Sequence, residues 1–165
     1  MAPEAPAPVS PADLETVGRQ LGREPRGVLA VAHRCACGGP DVVRTAPRLP
    51  DGTPFPTHYY LTCPRLVAAV SRLESAGVMA ELTARLETDP ELASGYRRAH
   101  AAYLAERESY EEVPELAGLS AGGMPERVKC LHALVAHELA VPGANPFGRE
   151  ALDALPDWWS DGPCA

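Results

Sequence analysis

Thr57-His58-Tyr59-Tyr60-Leu61-Thr62-Cys63-Pro64-Arg65-Leu66-Val67 changes its period halfway along. From Thr57 to Thr62 the residues are β-branched, aromatic or apolar, which suits a pleated strand. Pro64 then removes a backbone donor and presets φ, which suits the first position of a helix. Beyond it, Leu66, Val67, Val70 and Leu73 recur at helical spacing until Gly77. Strand character lies mostly before this point and helix character after it. That segregation predicts an α+β fold, in which strands and helices occupy separate regions.

Upstream, Val28 to Cys35 and Asp41 to Thr45 read as two further strands. Between them Cys35-Ala36-Cys37-Gly38-Gly39-Pro40 has turn composition. Pro50-Asp51-Gly52-Thr53-Pro54-Phe55-Pro56 holds three prolines and reads as a stiff loop. The expected sheet is small, antiparallel and of about three strands, packed against a C-terminal helical bundle. Before it, Ser10 is placed to cap a helix with Pro11 at its first position. Leu14, Val17 and Leu21 give that helix one face, and Gly22 can end it. Residues 1–9 are rich in Pro and Ala and read as a disordered tail.

Downstream, Val78 to Leu86 predicts a short helix. Thr88-Asp89-Pro90-Glu91 caps a longer one reaching about Tyr110. Residues 111–123 read as loop, and Pro125 is expected to open a helix running to Ala140. A turn at Ala144 to Gly148 precedes a last helix to Leu155. Residues 10–155 thus form one α+β domain, followed by an irregular tail over 156–165, which Trp158-Trp159 is placed to dock.

The chain has 165 residues and a net charge of −7, with only 5% aromatic residues. An acidic chain poor in aromatics lacks the basic face and stacking platforms of a nucleic-acid binder. No apolar run reaches the ~18–20 residues of a membrane span. The N-terminus lacks the basic and apolar segments of a secretory signal, so a cytoplasmic protein is expected. In that compartment its five cysteines are free, metal-bound or reactive rather than paired.

Gly122-Gly123-Met124-Pro125-Glu126-Arg127-Val128-Lys129-Cys130-Leu131-His132 carries the only lysine among fifteen basic residues. Either chance kept it, or the position wants a compact ammonium rather than a guanidinium. Thiols and imidazoles fall into three clusters: His33, Cys35 and Cys37; His58 and Cys63; Cys130, His132 and His137. Soft donors from three segments suit a metal site that closes a fold, although no standard zinc spacing is present. Cys63-Pro64 resembles the pair that follows many iron–sulfur ligands. On a continuous helix, Cys130 and His132 would lie roughly 200° apart and face different neighbours. The alternative for Cys130 is a small buried hydrophobe. At a helix start, Cys63 suits a ligand, a nucleophile or a plain cap. Arg48, Arg65, Arg72 and Arg127 make an anion patch or ordinary surface ion pairs. His100 reads as partly buried, and Cys164 as incidental.

Arg48 to Thr57, Tyr60 to Pro64, Gly122 to His132, Ala136-His137 and Asn145-Pro146 together resemble the domain of unknown function 501 family, found mainly in high-GC Gram-positive bacteria. The resemblance runs from about Leu14 to Leu155. It implies no activity. Its genes tend to neighbour those of enolase, a septum-formation initiator and an exopolyphosphatase-like protein, an association without mechanism. The family pattern implies cysteine at Cys35, cysteine or histidine at Cys63, and the Lys-Cys-Leu-His run. Exchange of cysteine for histidine is what a metal ligand tolerates and a nucleophile does not. Cys37 ranks below Cys35 on this pattern.

The leading expectation is a metal site, zinc or an iron–sulfur cluster, of structural or regulatory role. Its core ligands would be Cys35, Cys63 and Cys130, with His132 or His137 as a fourth ligand or supporting group. The first alternative is an enzyme for a phosphorylated or acidic substrate, with Lys129, His132 and Cys63 as catalytic candidates. The second is a metal-free module for a protein partner.

Overall fold

In the computed structural model, which describes residues 7–164, sheet and helices segregate as the Cys63-Pro64 switch predicts. The tail expected over residues 1–9 falls mostly outside the described residues. Helix α1 (Pro11–Leu21) starts at Ser10, whose Oγ accepts the Asp13 N–H at 3.1 Å. It ends at Gly22 in the left-handed region, where a side chain would be strained. Strands β1 (Val28–Arg34), β2 (Pro40–Thr45) and β3 (Tyr59–Leu61) form one antiparallel sheet in that order. Val31 faces Val43, and Val42 faces Leu61, which aligns apolar residues across the central strand. The strand expected over 57–62 is shorter, spanning Tyr59–Leu61, and at its start the His58 and Tyr59 N–H groups donate to the Tyr103 hydroxyl.

Five α-helices follow among the described residues. They are α2 (Pro64–Ser75), α3 (Val78–Thr88), α4 (Pro90–Tyr110), α5 (Leu131–Ala140) and α6 (Pro146–Ala154). Asp89 and Asn145 cap α4 and α6 through their side chains. Cys63 takes the cap position of α2, its sulfur 3.5 Å from the Leu66 N–H.

Helix α5 lies at the centre. Leu131, Leu134, Val135, Ala136 and His137 are all fully buried, because the sheet covers one side and α6 the other. A helix enclosed this way is apolar nearly all round rather than along one stripe. At the α5–α6 crossing, Gly148 lies against the Leu134 carbonyl so closely that a Cβ would overlap it.

The helix expected from Pro125 begins only at Leu131. The backbone donors before it are engaged elsewhere. The Val128 N–H goes to Thr83 Oγ1 at 2.9 Å, and those of Lys129 and Cys130 go to the Gly122 carbonyl. The Leu131 N–H goes to Glu74 Oε2 at 2.8 Å. These bonds satisfy donors that a first helical turn leaves open while holding Cys130 extended, at φ −148° and ψ 111°.

Candidate metal centre

The turn between β1 and β2 projects two thiols. The Cys35 N–H donates to the Gly39 carbonyl, and the Gly38 N–H to the Cys35 carbonyl. That tight loop places the Cys37 N–H 3.5 Å from Cys35 Sγ. The C-terminal segment returns to this turn. Trp158 and Trp159 meet edge to face, with ring centroids 4.7 Å apart, and pack against the core, and Arg65 Nε donates to the Pro163 carbonyl at 3.1 Å. Cys164 is thereby carried into the interior. Its sulfur lies 3.2 Å from Cys35 Sγ and 3.3 Å from Cys37 Sγ. Cys63, buried at the start of α2, also acts on the Cys164 thiol, but it stands outside the set of three sulfurs that lie within 4.8 Å of one another.

The electrostatics of the thiols differ. Burial pushes Cys35 up. It also raises Cys164, and the thiols of Cys63, Cys35 and Cys37 push it the same way. Burial acts on Cys37 in that direction too. There the N–H groups of Gly39 and Cys164 and the neighbouring thiols outweigh it and bring Cys37 down to about 7. Cys37 is also the exposed member of the group, so it ionises first.

The sulfurs fit a soft cation. Tetrahedral zinc with Zn–S near 2.3 Å separates its sulfurs by about 3.8 Å, so the observed pairs would spread by roughly half an ångström. N–H groups donating to Cys35 and Cys63 are the kind of support thiolate ligands receive.

A second group stands at the other end of α2. Glu74, Cys130 and His132 place a carboxylate oxygen, a sulfur and a ring nitrogen within 4.8 Å of one another. His132 Nδ1 is 3.2 Å from Glu74 Oε2 and 3.9 Å from Cys130 Sγ. The expectation that Cys130 and His132 face different neighbours is therefore corrected: Cys130 precedes the helix, and its extended backbone lets the two side chains meet. Cys130 raises His132, while His132 brings the Cys130 thiol down against the effect of burial.

The structure thus divides the residues expected at one site. Cys35 gathers with Cys37 and Cys164, and with Cys63 beside them; Cys130 and His132 gather with Glu74. His137 joins neither group among the described residues. It stacks on Tyr59 with ring centroids 5.8 Å apart, and its Nδ1 meets Asn145 Nδ2 at 3.3 Å. His58 lies in the same aromatic core, with Nδ1 2.9 Å from the Thr45 carbonyl. Burial lowers both histidines to about 4.

Two of the four arginines expected as an anion patch have other partners. Arg48 forms a two-pronged pair with Glu115, and Arg65 holds the C-terminal segment. Lys129 is exposed. Cys164 was the residue sequence reasoning passed over. Its distance along the chain hides its neighbours, and only the Trp pair before it signals a docked tail. Glu74 was missed because a glutamate on an exposed helix reads as an ordinary solvated charge.

A helical bundle on a small antiparallel sheet, with thiols gathered at the sheet's turn, defines the class as an α+β protein with a candidate thiolate centre. The model of the family described as "Protein of unknown function (DUF501)" matches residues 31–153, and the chain belongs to that family. Cys35, Cys37, Cys63, Glu74, Cys130 and His132 fall inside the matched span, whereas Cys164 falls outside it. No curated protein and no solved structure matches the chain. Among the described residues, no helix is long and apolar enough to cross a membrane.

Proposed function

We propose that this is a cytoplasmic metalloprotein whose thiolate centre binds one zinc ion through Cys35, Cys37 and Cys164, with Cys63 as fourth ligand. The observation that carries the reading is the gathering of three sulfurs from opposite ends of the chain around one point. Four thiolates and no open position are the donor set of structural zinc, whose binding free energy adds to folding. The ion would fasten the C-terminal segment to the β1–β2 turn and to the start of α2. A regulatory role follows if loss of the ion frees that segment for a protein partner. An iron–sulfur cluster is the alternative occupant, since it takes the same thiolates.

Elemental analysis and an absorption spectrum of the full chain, purified without oxygen, test this. Zinc in the wild type that falls by about one per chain in C35S and in C164S is the expected result. Visible charge-transfer bands with several irons would instead assign a cluster. Equal metal content in wild type, C35S and C164S would refute the centre.

A further inference from the structure

Cys63, the proposed fourth ligand of the thiolate centre, caps the start of helix α2, and the Glu74–Cys130–His132 group stands at its last turn. Twelve residues of helix separate the two by roughly 16–18 Å, so they are independent sites. We infer that Glu74, Cys130 and His132 form a second metal site, open to solvent, for a borderline first-row divalent cation of which zinc is the best fit.

Three observations carry this. The first is convergence: a carboxylate oxygen from α2, a sulfur from the segment before α5 and a nitrogen from its first turn lie within 4.8 Å of one another. The second is the orientation of the ring. His132 Nε2 faces the Val67 carbonyl at 3.4 Å and Ser71 Oγ at 3.2 Å. A carbonyl only accepts, so the Nε2 proton is held there, and Nδ1 is the nitrogen turned to Glu74 and Cys130, where an ion would displace the proton that Nδ1 shares with the Glu74 carboxylate. A histidine ligand held through its other nitrogen is the usual support of a metal site. The third is charge. A carboxylate and a thiolate balance a dication, and the mixed oxygen, nitrogen and sulfur set suits zinc more than calcium or magnesium, which prefer oxygen alone.

The two centres differ in access. Glu74 and His132 keep 21% and 26% of their side-chain surface exposed, and Cys130 is half-buried. Three protein ligands leave the fourth tetrahedral position to water, which a small anion can replace. The thiolate centre is closed and structural; this one exchanges its metal and its fourth ligand.

Cobalt(II) titration of the full-length C35S/C37S/C164S variant, without oxygen, reads this site apart from the thiolate centre. One cobalt per chain is expected, with a charge-transfer band from one sulfur. Adding E74Q or H132Q should weaken binding at least tenfold, and adding C130S should remove the band. No binding by a variant with the wild-type far-ultraviolet circular dichroism would overturn the site. So would a band that survives C130S, because the sulfur would then be Cys63. If the triple variant does not fold, alkylation of Cys130 in the wild type decides. Zinc should protect Cys130 at least tenfold, and E74Q should abolish the protection; equal rates with and without zinc refute the proposal.

Discussion

Cys164 and Cys35 are 129 positions apart in the chain, yet their sulfurs lie 3.2 Å from one another in the interior. That contact ties the last described residue to the first hairpin. It also sets a cluster in which one member, Cys37, differs from the rest in exposure and acidity.

Cys37 is expected to be the first thiol of the cluster to react in metal-free protein. Its group is brought down to about 7, while Cys35 and Cys164 are raised. Its alkylation rate should climb between pH 6 and 8 as the thiolate forms. Peptide mass spectrometry after short iodoacetamide pulses checks this. Faster labelling of Cys35 or Cys164 than of Cys37 would contradict the arrangement.

Acid should destabilise the fold through two core histidines. His58 and His137 titrate near 4 when folded, against an ordinary value of 6.5. Between those values the unfolded chain binds more protons, so stability rises with pH. It is full above about 6.5 and is lost as pH falls towards 4, by about 1.4 kcal/mol per histidine per pH unit. Urea midpoints across that window, compared with those of His137→Gln, test it. The variant should lose about half the slope; an unchanged slope would clear His137 of the effect.

Gly148→Ala is expected to cost about 3 kcal/mol or more. The new Cβ would meet the Leu134 carbonyl and press on Glu138 Cβ at 2.8 Å. Both are held by the buried α5, so the helices must separate, and overpacking of this kind costs about 1–3 kcal/mol even where neighbours can shift. Denaturant unfolding reads the change. A loss under about 0.5 kcal/mol would mean that the crossing adjusts freely.

Arg107→Met should destabilise by about 3 kcal/mol. Arg107 is 1% exposed, and its guanidinium donates to the carbonyls of Pro56, Leu116 and Leu119 at 2.9, 3.0 and 2.6 Å. It pins the proline-rich loop and the segment after α4 to one point, and bonds to a charged donor are worth about 1.5–3 kcal/mol each before its desolvation is charged against them. Arg107→Lys should recover little, because an ammonium cannot reach three carbonyls as the planar fork does. Thermal unfolding of both variants checks this; full recovery by lysine would show that charge alone matters.

Local signals were legible in the residues themselves. The change of period at Cys63-Pro64 fixed the α+β class, and Ser10 and Asp89 marked helix starts because a cap bonds within its own first turn, whereas the turn expected over Ala144 to Gly148 is already helical from Pro146, with Asn145 as the cap. The start of α5 was not legible. Pro125 has the right chemistry to open a helix, but the donors of Val128 to Leu131 bond to Thr83, Gly122 and Glu74. Partners that remote leave no periodic trace in the sequence.

The same boundary separates the ligands from the sites. Residue chemistry identified Cys35, Cys63, Cys130 and His132 as metal-competent, since a thiol or an imidazole carries its donor wherever it lies. Which donors share an ion was decided by the path of the chain. The docked tail brought Cys164 to the hairpin, and the extended backbone at Cys130 turned its sulfur to His132 and Glu74. Donor type is a property of one residue; coordination is a property of distances between residues, and packing alone sets those.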